Sequence, residues 1–517
     1  MLDPEARRPA GPALPALTAA ILMVWLLVVV FTSTHHELWR DEVRAISLVR
    51  AAATPADLYD LIEYDGHPVL WYLLLYLGTA IVDTPLVLPI TGILVAFAAV
   101  TLFMIAAPFP FWMRSLFIFS GLPLYEYSVM ARNYGISMLL LFLAAVAWRD
   151  RAKHPVRLGL VLALLANTNV HSVILVGLIA AIWAWDIAVE ARRIGRRTAS
   201  GPVLLAFALI AGGVLLSAAF AAPRENTILT SVHRSWSLAE LARAFAGALV
   251  RPDNTFADLV PESLPAPAAA LVLYVAVLGL LRRPSLFLAA VAAQVVLGMF
   301  FRIAYPGSYR HQGLYLLFLV FLYWVFIEVR ERRTALDTEH VLFKAGLYAG
   351  ILMLIIANVG EARHLVLSDM RMERSSSKAF GAFLRESDRY REAVIVAEPD
   401  YMMESLPYYA GNPIYIARER RYGDTVAWTT ASRATLTLGE LLASARDVRG
   451  TQPGRPVLIV LAWNLDRRSA AGEREYIYGR VFGWTAEDLA DFRQSTDLVA
   501  EFDAAYGDEN YRVYVLK

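Results

Sequence analysis

The stretch PVLWYLLLYLGTAIV, Pro68 to Val82, decides how the chain is threaded. It is fifteen residues long, whereas a helix needs about 20 apolar residues to cross a hydrocarbon core. Whether it crosses fixes the side on which every later loop lies. Around it stand longer apolar windows, near 14–32, 86–107, 112–129, 134–148, 157–170, 172–189, 202–221, 265–281, 285–301, 312–329 and 343–360, each a candidate membrane helix.

Basic residues settle the threading. If 68–82 lies in the outer interface, the cytoplasmic side receives Arg7, Arg8, Arg114, Arg149, Arg151, Lys153, Arg157, Arg192, Arg193, Arg196, Arg197, Arg282, Arg283, Arg330, Arg332, Arg333 and Lys344. These are 17 of the 27 Lys and Arg residues before position 361, in short loops. If 68–82 crosses, all but the first two face outward, against the positive-inside rule. The non-crossing arrangement predicts eleven spans, a cytoplasmic N-terminus and an extracytoplasmic C-terminal domain. The first outer loop, 33–85, then holds interfacial helices. Val43, Ile46, Val49, Leu58, Leu61 and Ile62 recur at helical spacings among polar residues, as in a segment lying in the membrane plane.

Composition agrees with this division. Of 517 residues, 57% are hydrophobic and 18% charged, and mean hydropathy is +0.47, which excludes a single soluble globule. Residues 361–517 hold 45 of the 95 charged residues, at the density of an ordinary soluble domain. We therefore expect a disordered cytoplasmic head (1–13), an all-α polytopic membrane domain (14–360) and a small extracytoplasmic α/β domain (361–517). In the last, Ala393–Ala397, Ile414–Ala417, Val457–Leu461 and Tyr511–Leu516 read as strands, and segments near 375–390, 437–447 and 485–494 as helices. The apolar run Ala16–Phe31 is longer than a signal-peptide core and lacks a small-x-small cleavage site, so it reads as a retained span. A net charge of +1 gives no nucleic-acid footprint. The absence of cysteine excludes disulfides, thiolate metal sites and a cysteine nucleophile.

The chemistry-bearing residues collect on the outer side. Asp41 and Glu42 follow the first span; adjacent carboxylates at a membrane surface are costly unless paired or used. One can serve as general base toward an acceptor hydroxyl, or both can simply favour a helix N-terminus. Asp65-Gly66-His67-Pro68 is turn chemistry carrying a histidine. Arg132, the lone cation of the short connection 126–134, suits a phosphate or snorkels to headgroups. Asn167-Thr168-Asn169-Val170-His171 is a polar break at the end of a span. Tyr305-Pro306-Gly307-Ser308-Tyr309-Arg310-His311 is another short outer connection, and Arg224, His233, Arg234 and Trp236 lie in the loop 222–264. Together they outline a positive rim around an outer cavity.

On Asp41-Glu42, the block DGHPVLWYLLL at 65–75 and ARNYGISMLLLFLA at 131–144, the sequence resembles the GT-C superfamily of polytopic glycosyltransferases. It looks closest to the protein-mannosyltransferase-like and lipopolysaccharide-sugar-transferase-like branch, over roughly 30–330. Val69 stands where that family often has a second proline, and Asn133 where its arginine motif often has one. The resemblance implies inverting transfer from a polyprenyl-phosphate sugar to an acceptor hydroxyl of a glycan, lipid or protein, at the outer face of the plasma membrane. It implies Asp41 as base, with Glu42 orienting the hydroxyl or a basic neighbour. Arg132, Arg310 and His311 would bind the donor phosphate; His67, Tyr134 and His171 are further substrate-contact candidates. No cofactor is implied with certainty, and the acids present are too few to assert the divalent metal that some relatives use. The rival classes are a polysaccharide polymerase or ligase of another membrane fold, a flippase or transporter of lipid-linked sugar, and a non-catalytic assembly subunit. A transporter would carry ionisable groups within its spans and preferably internal repeats.

Overall fold

In the computed structural model, residues 13–194, 200–222, 226–228, 236–330, 337–465 and 470–517 are described. The head before Ala13 lies outside them, as do Arg196, Arg197, Arg224, His233, Arg234, Arg332 and Arg333.

The first span is α1 (Ala13–His35). The first loop folds into α2 (Arg40–Ala51), α3 (Pro55–Ile62) and α4 (Leu70–Ile81). Thr54 caps α3 by accepting from the Asp57 amide, and Pro55 opens it. The deciding stretch is thus a helix of 12 residues, shorter than a crossing requires; the Leu70 amide donates to the Asn167 carbonyl at 3.2 Å. There follow α5 (Val87–Ala106), α6 (Phe111–Ile118), α7 (Tyr134–Arg149), α8 (Pro155–Ala166), α9 (Val170–Ile194) and α10 (Gly201–Ala221). The mid-chain loop contributes α11 (Leu238–Val250) and α12 (Pro252–Thr255). Then come α13 (Ala266–Leu278), α14 (Pro284–Ile303), α15 (Tyr309–Arg330), α16 (Asp337–Lys344) and α17 (Leu352–Arg371).

Among the described residues, seven helical stretches are long and apolar enough to cross a membrane: Leu14–His35, Val87–Ala106, Val170–Ile194, Gly201–Ala221, Pro284–Ile303, Tyr309–Glu328 and Val341–Arg371. The other expected spans are shorter helices. The window 112–129 is divided: α6 ends at Ile118, and a π-helical turn, Leu122–Glu126, follows. Glycine and proline at Gly121 and Pro123 interrupt the ladder there. The window 157–170 likewise ends at Ala166, because Asn167 and Thr168 fold their side chains back onto backbone carbonyls. Helix α15 runs through the centre of the bundle, with Trp324 against Phe103 and Phe142.

The C-terminal part adds α18 (Ser377–Glu386), β1 (Val394–Glu398), α19 (Leu406–Tyr409), β2 (Ile414–Ile416), β3 (Arg421–Tyr422), β4 (Thr435–Thr437), α20 (Leu438–Thr451), β5 (Val457–Leu461), β6 (Gly472–Tyr476), β7 (Arg480–Trp484), α21 (Ala486–Ser495), β8 (Thr496–Phe502) and β9 (Tyr511–Leu516). One sheet has the order β3-β2-β1-β5-β9-β8, a second β4-β7-β6. Strand β1 pairs parallel with β2 and β5, and β9 antiparallel with β5 and β8. Both faces of the central strands are buried, so β1 and β5 read as near-continuous apolar runs. Ile395, Leu458 and Val513 pack on one side; Val396, Ile459 and Tyr514 join Leu441, Leu442 and Phe492 on the other.

This part sits on the first loop. Arg40 pairs with Asp508 at 2.7 Å and Glu509 at 3.2 Å. Arg44 pairs with Glu404, and the Tyr409 hydroxyl donates to the Leu38 carbonyl at 3.0 Å.

Candidate functional site

Helix α2 begins with Arg40, Asp41 and Glu42, so both acids stand in its first turn, where backbone amides favour negative charge. Successive helix positions diverge, and the two carboxylates go different ways.

Asp41 keeps about a third of its side chain exposed, at 36%. Its Oδ2 accepts from Arg132 Nη1 at 2.7 Å, with Arg310 Nη2 at 3.8 Å. Burial would raise its pKa, but Arg132, Arg40 and Arg310 outweigh that and hold it below the ordinary carboxylate value. Glu42 is fully buried. It accepts from the Ala131 amide at 2.8 Å and meets His36 Nε2 at 3.0 Å, while His36 Nδ1 meets Asp369 at 2.7 Å. Burial works against a charged His36, but Glu42 and Asp369 prevail and bring it up to about 9. Glu42 therefore ties α2 to the 127–133 connection and, through His36, to the end of α17.

Three guanidiniums surround the Trp39 indole: Arg374 at 4.9 Å, Arg40 at 5.1 Å and Arg310 at 5.9 Å from its centroid. Arg310 is positioned by α15, where the Tyr127 hydroxyl donates to its carbonyl at 2.7 Å. The Arg310 Nε is buried without a partner. Arg132 lies 6.0 Å from the Tyr134 ring. Tyr134 stacks on Tyr127 and meets His311 edge-on at 5.4 Å. His311 lies 5.0 Å from His171, and its Nδ1 accepts from the Ser308 amide. Both ring nitrogens of His171 are buried without partners, against Phe300 and Phe301.

His67 stands at the rim, 42% exposed, with Nδ1 2.8 Å from the Asp65 carbonyl oxygen and 3.2 Å from its carboxylate. Asp65 also accepts from Arg44 and from the Tyr72 hydroxyl. Arg44, with His67, more than offsets the burial that would raise Asp65, and its carboxyl falls far below the usual range. Polar contacts fix the floor: Asn133 Nδ2 donates to the Thr168 carbonyl and Ser137 to the Thr168 hydroxyl, both near 2.8 Å. Trp236 is half exposed beside α11.

The structure thus brings Asp41, Arg132, Arg310, His311, Tyr134 and His171 into one connected cluster, with Glu42 behind it and His67 at its edge. Sequence reading missed Trp39, Arg374, His36 and Glu509. Trp39 and Arg40 directly precede the acid pair in sequence; nothing local marked Arg374 or Glu509, which reach the site only through the fold. Among the described residues, no group of three or more His, Asp or Glu is placed to hold a metal ion.

A helical, polytopic membrane body carrying a strand-containing C-terminal domain is the class that fold and site define. No family model and no curated protein matches the chain. Among solved structures, ArnT from Cupriavidus metallidurans aligns with it in the apo state (TM-score 0.49) and bound to undecaprenyl phosphate (TM-score 0.48). Each alignment has 12% identity and covers 97% of this chain and 98% of that one.

Proposed function

We propose that the protein is a membrane glycosyltransferase of the GT-C type, moving a sugar from a polyprenyl-phosphate donor to an acceptor hydroxyl with inversion. The observation that carries this reading is the part-exposed Asp41 carboxylate held by Arg132 and Arg310.

Charge balance suggests the working order. With no donor bound, Asp41 is the anion that Arg132 and Arg310 face. A phosphate presents the same charge with more oxygens in a geometry the planar guanidinium matches, so it takes over these donors. Asp41, freed from its largest stabiliser, becomes more basic. The acceptor oxygen attacks the anomeric carbon from the face opposite the phosphate. The carbon–oxygen bond to phosphate breaks, and the electron pair leaves with the lipid phosphate. The acceptor proton passes to Asp41. Arg132 and Arg310 stabilise charge growing on the departing phosphate, while His311, His171, Tyr134 and His67 contact phosphate or sugar. Glu42 acts through position, holding His36 and the Ala131 amide. The active face is extracytoplasmic, at the plasma membrane.

The test is Asp41→Asn in reconstituted liposomes supplied with labelled polyprenyl-phosphate sugars. Loss of a positioned base lowers transfer by about 10²–10⁴-fold with unchanged elution in size-exclusion chromatography. Transfer near the wild-type rate would sink the assignment.

A further inference from the structure

We propose that the hairpin tip Ile477–Gly479, backed by Trp428, is the platform on which a sugar ring of the acceptor rests, so that the acceptor is a glycan. This rests on the transferase reading and names the class of its second substrate.

The tip joins β6 to β7. Tyr478 adopts φ 57° and ψ 34°, and Gly479 follows at φ 68°. A left-handed tyrosine is a conformation that the surrounding fold must hold, yet here it keeps an aromatic ring in the open: Tyr478 and Ile477 are each 42% exposed. Its ring meets the edge of Trp428 at 5.2 Å. Trp428 in turn lies 5.8 Å from Tyr401 and 4.6 Å from the Arg480 guanidinium. Arg480 is buried and fixed by Asp400 at 2.6 Å and Ser432 at 2.9 Å, so the platform has a rigid foundation.

The aromatic trail leads to the base. Tyr401 carries the Arg40 guanidinium at 5.2 Å, and Arg40 lies 4.0 Å from Asp41. Burial first, then Tyr305 and Asp41, raise the Tyr478 hydroxyl, with Arg44 and Asp65 also within electrostatic reach. The tip therefore lies within electrostatic reach of Asp41 and is joined to it through Trp428, Tyr401 and Arg40.

The chemistry selects the ligand. A pyranose or furanose ring offers a C–H face to an aromatic surface and a rim of hydroxyls to polar neighbours, and this place offers both. An acyl chain finds no apolar continuity, because Glu473, Arg474 and Glu475 of the adjoining β6 are exposed.

The full-length protein in nanodiscs, without donor, is titrated with six-unit oligosaccharides of glucose, mannose and arabinose and followed by saturation-transfer NMR. At least one binds saturably. Tyr478→Gly, which suits the local φ, weakens that binding about tenfold or more, and Tyr478→Phe retains it. Absence of saturable binding by any of the three, or a Tyr478→Gly protein that binds like wild type, overturns the proposal. So does competition by an extended peptide or by lipid headgroups that Tyr478→Gly leaves unchanged. Because no donor is present, these outcomes are independent of whether the Asp41→Asn assay finds transfer.

Discussion

Arg132 is the chief group holding the Asp41 pKa down, so the proposed exchange of Asp41 for phosphate predicts a weaker base in the resting site than in the loaded one. In the pH profile, the acid limb of kcat/KM reports the free protein and that of kcat the loaded one, so the kcat limb lies at higher pH. Arg132→Gln removes the chief stabiliser: the kcat/KM limb moves upward while transfer falls about 10²–10³-fold. A profile whose two limbs coincide, and do not move in Arg132→Gln, contradicts the exchange of Asp41 for phosphate. His36 titrates the other way. Its folded pKa of about 9 exceeds the 6.5 of an unfolded histidine, so its stabilisation is complete below pH 6.5 and disappears as pH rises through 9. At 1.36 kcal/mol per unit this amounts to about 3 kcal/mol. Melting temperature should decline across that window in wild type. In His36→Gln it should start lower and stay flat, because Glu42 and Asp369 have then lost their common partner.

At the scale of elements, helix contact is decided by residues that the apolar windows hide. On α8 and α10, a Cβ added at Gly159 would meet Ala206 backbone at 2.7 Å, and one at Gly213 would meet Ala163 at 2.7 Å. Such close approach through small residues is a common way for membrane helices to pack. Gly212, next in sequence, has nothing within 4 Å. Gly213→Ala should therefore cost about 1–3 kcal/mol in detergent unfolding, whereas Gly212→Ala should be neutral or slightly stabilising. Equal effects would show that the helices do not meet there. The Gly213 carbonyl also accepts from Asn167 at 2.9 Å, one step from the Thr168 that holds Asn133, so parting these helices loosens the connection bearing Arg132. This layer was illegible in sequence, because a twenty-residue hydropathy window records that a helix is apolar and not which side touches another. Length was misread where polar or ring residues cut the windows, at Gly121-Pro123 and Asn167-Thr168. The strand at 457–461 was legible because burial on both faces leaves an unbroken apolar run, and that at 511–516 because only Arg512 interrupts its β-branched and aromatic residues. Strand β6 was not, since its exposed residues Glu473–Glu475 carry no such signal.

At the scale of the whole molecule, the charge contrast between body and tail separates the two parts but is silent on their contact, because Arg40 and Glu509 lie 469 residues apart. Beside the Arg44–Glu404 and Tyr409–Leu38 contacts, a buried carboxylate joins them. Glu509 is 1% exposed and accepts from the Arg40 amide at 3.0 Å, from its guanidinium at 3.2 Å, and from the Ser375 and Ser405 hydroxyls. It thereby fixes the residue immediately before Asp41. Asp508 meets the same guanidinium at 2.7 Å but is half exposed. Removing Glu509 takes the acceptor from the Arg40 amide and from the buried Ser375 and Ser405 hydroxyls, at a cost of about 1–3 kcal/mol, whereas an exposed pair contributes about 0.2–1 kcal/mol. Glu509→Ala should therefore lower the melting temperature clearly and reduce transfer with it, since the first turn of α2 loses its anchor. Asp508→Ala should change both little. If the tail were only tethered beside the membrane body, the two substitutions would be alike; if it completes the site, the adjacent acids will differ sharply, and activity will follow Glu509 alone.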